Sequence, residues 1–221
     1  FAEIALDETV VESQGSIETK ADDNGCALYF RNKKNHFAKG WAFASTSLAA
    51  EFAETSRQRA YGPNNRATRV PYMVEHSHPV LGNDRRQRTV AAFCGPVEVK
   101  AGSEAKIVFS IGQTGGLPEA SHLAEVSRSV DWAERMLAET KKFWAETLGV
   151  LRIETNKPEF DRLVNDWLPY QLLASRLWGR TGPAQRSGAT GYRDQLQDVL
   201  PLTLLAPDLT RRQILLHAAR Q

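Results

Sequence analysis

The sequence predicts an antiparallel β-sandwich portion followed by an all-helical portion. Near Gly115 the hydrophobic period changes from two to about 3.6 residues, which is the change from strand to helix spacing. Glycine, proline and asparagine clusters punctuate the first half, whereas prolines open two segments of the second. We therefore expect β structure in residues 1–115, a connecting helix in 116–150 and further helices in 151–221.

Short runs rich in β-branched and aromatic residues predict the strands of the first part. The clearest hairpin is expected where Val97 to Lys100 and Lys106 to Ile111 flank a turn at Ala101 to Ser103, because their apolar residues alternate toward one face. This alternation of short strands and turns predicts antiparallel β structure that forms one part of a sandwich. The predicted strands are Ile17 to Thr19, Ala27 to Arg31, Ala42 to Ser45, Thr89 to Phe93, and Ile107 to Ile111.

Two long helices are predicted to begin at prolines. Pro118 should open one helix that runs unbroken to a stop at Gly149, with a continuous apolar stripe along one face. Pro158 should open a second helix with a wide buried face, kinked at Pro169 because proline lacks the backbone donor that the helix needs there.

The last part of the chain predicts two further helices. The third runs from Arg193 to Ala206 and is bent by Pro201. The fourth is expected to begin at Thr210, whose spacing to Gln213 is that of a capping box. No glycine, asparagine or proline stops this pattern before Gln221, so we expect the chain to be part of a longer polypeptide.

Composition and charge exclude several classes of protein. The chain has 221 residues, 42% of them hydrophobic and 24% charged, and a formal net charge of only +2, which argues against nucleic-acid binding. Cys26 and Cys94 form no Cys-x-x-Cys pattern, so free thiols in a reducing compartment are expected. No apolar run reaches the roughly 18 residues of a membrane span, and no signal peptide opens the chain. We expect a soluble, cytoplasmic protein segment.

The densest polar block, Tyr192 to Asp198, follows a glycine-rich stretch and leads into an apolar helix. Its carboxylates accept hydrogen bonds from hydroxyls and Arg193 donates them, a combination that suits a carbohydrate. A structural alternative remains open, because Asp194 and Asp198 stand four residues apart and would also stabilise the start of a helix.

Three segments of the helical part resemble the signature of glycoside hydrolase family 94, the inverting β-glucoside phosphorylases: Asn165 to Gln171, Arg176 to Arg180 and Gly191 to Asp198. Ile17 to Thr19 and Phe109 to Gln113 resemble the end of that family's β-sandwich. The resemblance implies the C-terminal part of a β-sandwich, a helical linker and the first helices of an (α/α)6 barrel.

The short loop between Arg180 and Arg193 resembles the phosphorylase-like region of cyclic β-1,2-glucan synthases and the 1,2-β-oligoglucan phosphorylases. In cellobiose-type members a donor-sugar arginine stands where this sequence has Gly188, and Arg186 is the nearby candidate to replace it. The resemblance implies a sugar-binding set on this loop and the helix after it. Its members are Asp194, Arg193, Arg186, Arg180, Gln185 and Tyr192.

The resemblance also implies the reaction. A carboxylic acid protonates the glycosidic oxygen while inorganic phosphate attacks the anomeric carbon from the opposite face. The general acid and the phosphate ligands are expected beyond Gln221, so no catalytic residue, metal or cofactor is assigned here, and phosphate is the co-substrate. The expected partners are a β-glucan or oligosaccharide, the rest of the polypeptide and a second copy in a homodimer. The expected compartment is the bacterial cytoplasm, as an independent protein or the soluble part of an inner-membrane one.

Three other features have both structural and functional interpretations. Trp167 fits the buried stripe and is predicted to be core, whereas Trp178 fits a sugar-stacking role equally well. His76 and His78 alternate like metal ligands, but no third ligand is near them in sequence, so a polar loop end is expected. A carbohydrate-binding or chain-length-controlling module without phosphorolysis stays open as an alternative function, as does a purely structural assembly.

Overall fold

The computed structural model describes residues 2–4, 16–34, 40–62, 70–80, 88–178 and 192–219. The chain divides into two compact units, Phe1–Met136 and Leu137–Gln221. The strands of the first unit are β1 Ala2–Glu3, β2 Ile17–Ala21, β3 Ala27–Asn32, β4 Trp41–Thr46, β5 Phe52–Ser56, β6 Thr89–Cys94 and β7 Phe109–Thr114. The helices are α1 Arg57–Tyr61, α2 Tyr72–Glu75, α3 Leu117–Ser127, α4 Val130–Leu148, α5 Pro158–Arg162, α6 Leu168–Gln171, α7 Tyr192–Val199, α8 Leu202–Leu205 and α9 Pro207–Ala218.

The strands form two antiparallel sheets, in the orders β1-β6-β5 and β2-β3-β4-β7. Their facing side chains form one apolar core, which includes Leu28, Phe30, Ala42, Ala44 and Ala91. The predicted antiparallel sandwich is therefore confirmed, and each of the five predicted strands is present with its ends displaced by up to three residues. Two strands were not predicted, the two-residue β1 and the more polar β5.

Helices cover the outer faces of both sheets. On the four-stranded sheet, Tyr29, Trp41 and Phe43 pack against Ala120 and Ala124 of α3. On the three-stranded sheet, Val90 and Ala92 pack against Ala60 of α1 and Met73 of α2. The central strands are thus buried on both faces, which explains why β3 and β4 are almost continuously apolar in sequence.

The predicted hairpin between Val97 to Lys100 and Lys106 to Ile111 is wrong. The turn exists, because the Ser103 amide donates to the Lys100 carbonyl at 3.0 Å and Gly102 has a φ of 76°. However, residues 97–100 form no strand, and Val97 and Val99 are 47% and 53% exposed. The strand after the turn, β7, instead pairs with β4 over six residue pairs, because β4 offers a longer apolar partner.

Gly112 of β7 lies where the sheet leaves no room for a side chain. A Cβ atom there would stand 2.6 Å from Cε1 and 2.7 Å from Cζ of Phe43, which is buried. We expect Gly112→Ala to lower the free energy of unfolding by about 1–3 kcal/mol, because the Phe43 ring must leave its packed position. Gly115→Ala is the control, since its nearest neighbour would be Glu119 Oε2 at 3.9 Å. Equal urea midpoints for the two variants would contradict the prediction.

The long helix predicted from Pro118 to Gly149 is interrupted. It consists of α3 and α4, separated at Arg128 and Ser129, so the expectation of one unbroken helix is wrong. The hydroxyl of Ser129 accepts from the Trp132 amide at 3.4 Å and so starts a new helix. At the break, Arg128 forms an ion pair with Asp22, with Nη1 3.3 Å from Oδ2.

The helix predicted to begin at Pro158 does so, and it continues to Trp178. Pro169 lies in α6, with two π-helical segments, Leu163–Trp167 and Leu172–Trp178, on either side of it, and the kink expected at Pro169 stays a prediction. A proline removes one backbone donor, and π-helical turns are a separate known source of irregularity in a long helix.

The third predicted helix is divided at Pro201 into α7 and α8, as expected for an internal proline. The capping box at Thr210 is wrong, because α9 begins three residues earlier with Pro207 at its first position. Thr210 is buried inside the helix, and its hydroxyl donates to the Val199 carbonyl at 3.3 Å.

Candidate functional site

Three of the six predicted sugar-binding residues lie at the start of α7. Tyr192, Arg193 and Asp194 form the first turn of that helix, and Arg193 is exposed. Arg180, Gln185 and Arg186 lie outside the described residues, so their role stays a prediction. The backbone of α7 thus brings three of the six residues to one helix start, where partial positive charge favours a carboxylate.

The opposite end of α7 is anchored in the core of the helical unit. Val199 and Leu202 are buried against Leu173 of the preceding helix, and five partly buried apolar residues pack around them. Because α7 has only eight residues, this anchor lies about two turns from the polar residues at its start. These surrounding residues are Trp144, Leu172, Leu177, Leu205 and Leu209.

Helix α9 holds the C-terminal end of α7. The bond from Thr210 Oγ1 to the Val199 carbonyl satisfies one of the acceptors that a helix end leaves open. One turn later, Gln213 Nε2 lies 2.9 Å from Nε2 of the buried His217. Helix α7 is therefore positioned by apolar and polar contacts together.

Asn165, the first residue of a predicted signature segment, has a structural role. Its side chain is buried, Nδ2 donates to the Ile153 carbonyl at 2.7 Å, and Oδ1 accepts from the Ile153 amide at 2.8 Å. Asp161 similarly accepts from the Thr155 amide and hydroxyl at 3.0 and 2.6 Å. The two side chains connect residues 151–157 to the helix that begins at Pro158. Asn165 of the signature segment therefore has a role in folding.

An aromatic groove of about 670 Å³ lies in the helical unit. Trp167 is 54% exposed beside it, so the prediction that Trp167 belongs to the core is wrong. The buried position of this π-helical segment is taken by Asn165 instead. Trp178 is 49% exposed, and its ring centroid lies 5.6 Å from that of Trp144. The groove is lined by Trp144, Leu148, Glu159, Arg162, Leu163, Asp166, Trp167 and Tyr170.

A second groove of about 440 Å³ is almost wholly apolar, with Asn165 as its polar member. It does not suit a ligand rich in hydroxyls, because such a ligand would lose its hydrogen bonds with water without replacement. Its other lining residues are Leu151, Ile153, Val164, Leu168, Pro169, Leu172, Pro201, Leu204 and Leu205.

The described part of the chain carries neither a metal-binding cluster nor a membrane-spanning helix. Its residues contain no group of three or more His, Cys, Asp or Glu side chains that could hold a metal ion. They also include no helix that is long and apolar enough to cross a membrane. Cys26 and Cys94 are both free thiols and partly buried.

Two family models match the chain in tandem. Residues 1–130 match the supersandwich domain of glycosyl hydrolase 94, and residues 143–221 match the catalytic domain of the glycosyl hydrolase 94 superfamily. The chain belongs to the glycosyl hydrolase 94 family. This confirms the predicted family and fold class, with an antiparallel sandwich followed by helices that begin a helical barrel.

The relatives include a synthase and several phosphorylases. The cyclic beta-(1,2)-glucan synthase of Rhizobium meliloti (strain 1021) is 38% identical over 131 residues, which are 59% of this chain and 5% of the relative. The cellobionic acid phosphorylase of Neurospora crassa is 24% identical over 88% of this chain and 23% of its own length. The N,N'-diacetylchitobiose phosphorylase of Vibrio proteolyticus is 25% identical over 58% of this chain and 16% of its own. The chain thus spans less than a quarter of each of these relatives.

Proposed function

We propose that this chain contributes the sandwich and the first barrel helices of an inverting phosphorylase that degrades β-1,2-linked glucan. The proposal rests on the tandem match of residues 1–130 and 143–221 to the two domains of one carbohydrate-active family. Phosphorylases among the relatives support phosphorolysis, and the synthase supports the β-1,2 linkage. The products would be a sugar 1-phosphate and a shortened glucan, with inorganic phosphate as co-substrate and no cofactor.

In this proposal Asp194 and Arg193 hold the sugar whose bond is broken. A carboxylate at the first turn of α7 accepts from two hydroxyls at once, and the helix start stabilises its negative charge. Arg193 is exposed and donates to a further oxygen or orients the carboxylate. Tyr192, Arg180, Gln185 and Arg186 complete the sugar contacts. The general acid and the phosphate ligands belong to other parts of the polypeptide.

The rate contribution of these residues would come from positioning. Phosphate must approach the anomeric carbon in line with the bond that breaks, and hydrogen bonds to the ring hydroxyls fix that direction. Such orientation lowers a barrier by several kcal/mol when reacting groups are held within about 3–3.5 Å. Anchoring α7 through Val199 and Leu202 serves this purpose, because a loosely held helix start could not fix the ring.

A second candidate function is a carbohydrate-binding or chain-length-controlling module of a cyclic glucan synthase, without phosphorolysis. The observation that favours it is the difference in identity, 38% to the synthase against 24–25% to the three phosphorylases. In that case the same residues at the start of α7 would bind glucan, but phosphate would have no effect on its breakdown.

Product release from β-1,2-glucan by the full-length protein separates the two functions. We expect glucose 1-phosphate to appear only when inorganic phosphate is present, and cellobiose to be a poorer substrate than β-1,2-glucan. Glucan binding without phosphate-dependent release would support the synthase module instead. Absence of both binding and release would reject both functions.

The remaining expectations concern compartment and assembly. We propose the bacterial cytoplasm, alone or as the soluble part of an inner-membrane protein, and the two free thiols fit a reducing compartment. We also propose that the longer polypeptide forms a homodimer, which size measurement in solution would test.

A further inference from the structure

The helix that begins at Pro158 has two different faces, and each lines one of the grooves of the helical unit. Among the described residues, the face toward the second groove presents no charged side chain. The face toward the aromatic groove combines charged, aliphatic and aromatic side chains at steps of three to four residues, which is the spacing of one side of a helix. Its members are Glu159, Arg162, Leu163, Asp166, Trp167 and Tyr170.

The charged residues of the aromatic groove have no strong partner in the described part of the chain. Glu159 and Arg162 form no ion pair with another described residue, and Asp166 lies 3.8 Å from Arg152 in an exposed pair. A protein segment laid over these groups would remove their hydrogen bonds with water, at a cost in free energy. A sugar replaces those bonds instead, because its hydroxyls donate to carboxylates and accept from a guanidinium.

Aromatic rings form a continuous row that includes the groove. The centroids of Trp167 and Tyr170 are 6.2 Å apart with 32° between their planes, so the two rings have similar orientations. Tyr170 lies 4.9 Å from Trp144, and Trp144 lies 5.6 Å from Trp178. In sequence, Trp178 stands two residues before Arg180, the first of the predicted sugar-binding residues.

A row of rings beside charged groups suits a chain of sugar units. The carbon–hydrogen face of a glucose ring is apolar and stacks on an aromatic ring, while its hydroxyls need donors and acceptors around them. Large apolar side chains that stay exposed together mark binding surfaces, and Trp167 and Tyr170 are 54% and 38% exposed. The groove volume of about 670 Å³ lies within the range of about 300–1,000 Å³ for ligand pockets.

We propose that the aromatic groove binds glucosyl units of a β-glucan chain other than the unit whose bond is broken. Trp167 and Tyr170 provide the stacking surface, Glu159 and Asp166 accept hydrogen bonds from hydroxyls, and Arg162 donates them. The inference rests on the proposed function for the identity of the glucan, but not for the reaction. A long glucan then gains affinity from the groove that a short oligosaccharide does not.

Trp167→Ala in the full-length protein tests the groove, with Phe160→Ala as the matched control. Phe160 is an aromatic residue of the same helix, is 49% exposed and does not line the groove. We expect the affinity for long β-1,2-glucan, measured by calorimetry, to fall about tenfold in Trp167→Ala, because a stacking surface and its buried area are lost. The fall should be smaller for a β-1,2-linked trisaccharide, and Phe160→Ala should bind both ligands as the unaltered protein does.

Two results of this comparison would overturn the inference. Equal affinity of the Trp167 and Phe160 variants for the long glucan would show that the groove does not bind it. An equal fall for the long glucan and the trisaccharide would place Trp167 at the sugar whose bond is broken.

Two charge substitutions test the groove without changing the packing of its rings. Glu159→Gln and Arg162→Gln should each weaken binding of the long glucan severalfold, because each removes a charge-assisted hydrogen bond to a hydroxyl. If Trp167→Ala lowers the urea midpoint strongly while both charge variants keep the affinity, another part of the polypeptide fills the groove and the inference is wrong.

Failure of the groove can be distinguished from failure of the proposed function. Weaker glucan binding by Trp167→Ala, with glucose 1-phosphate release that never depends on phosphate, would support the groove and reject the reaction. Loss of phosphate-dependent release in Asp194→Asn, with normal binding of long glucan by Trp167→Ala, would support the reaction and reject the groove. No glucan binding by the unaltered protein would overturn both.

Discussion

Asp194→Asn is expected to lower phosphorolysis by the full-length protein at least a hundredfold without unfolding it. A hydrogen bond to a charged group contributes about 1.5–3 kcal/mol, and the proposed carboxylate makes two such bonds to sugar hydroxyls. The amide keeps one acceptor and replaces the other with a donor, so both the charge and one matched bond are lost. Since about 1.4 kcal/mol corresponds to a factor of ten, two weakened bonds account for a hundredfold or larger loss.

The control for Asp194→Asn is Asp208→Asn. Asp208 is exposed in the first turn of α9, as Asp194 stands in the first turn of α7, so both substitutions remove a favourable charge from a helix start. That effect costs about 0.3–1 kcal/mol of stability in either variant. We expect only Asp194→Asn to lower kcat/KM for phosphate-dependent release of glucose 1-phosphate. Equal activity of the two variants would remove Asp194 from the sugar site and leave it a structural role.

The strands could be predicted wherever burial alone determined the residue types. β3 and β4 lie between the second sheet and α3, so both of their faces are apolar and the sequence shows it directly. β5 could not be recognised, because it contains the buried carboxylate Glu54, whose partner Arg59 lies on the next helix. Oε1 of Glu54 also accepts from the amides of residues 55 and 56 at 2.8 Å, a local arrangement that periodicity does not reveal.

Strand pairing and helix breaks depended on partners distant in sequence. The turn at Gly102 was predictable, but β7 pairs with β4, which precedes it by more than sixty residues. Likewise the break between α3 and α4 lies beside the pair of Arg128 with Asp22, a contact between residues far apart in sequence. Periodicity identified the elements themselves, whereas tertiary contacts determined where they end and what they join.

The candidate site was predictable only as a set of residue types. The resemblance identified the start of α7, and the structure shows how that helix is anchored at its other end. The resemblance did not tell structural residues from exposed ones within one segment. Asn165 is buried and makes two hydrogen bonds to the Ile153 backbone, whereas Trp167 is exposed at a groove. A hydrophobic stripe also could not show that π-helical turns would rotate Trp167 out of the core.

Leu173→Ala is expected to cost about 2–5 kcal/mol of unfolding free energy, the range for a buried leucine reduced to alanine. Leu173 is fully buried against Val199 and Leu202, and its loss would leave a cavity beneath α7. Leu168→Ala is the control, because Leu168 belongs to the same continuous helix but is 52% exposed. Urea unfolding of the helical unit should show a large decrease for the first variant and a small one for the second.

Hydrogen exchange of the backbone amides of residues 192–199, measured in Leu173→Ala, would test whether the loss of stability reaches the proposed sugar site. If the core around Leu173 holds α7 in place, Leu173→Ala should speed exchange along the whole helix, including its polar first turn, because local opening becomes easier. Glucan affinity should fall with it, since binding would then have to order Arg193 and Asp194 as well. Faster exchange with unchanged glucan affinity would mean that the sugar is held elsewhere, and would favour the groove lined by Trp167 and Tyr170.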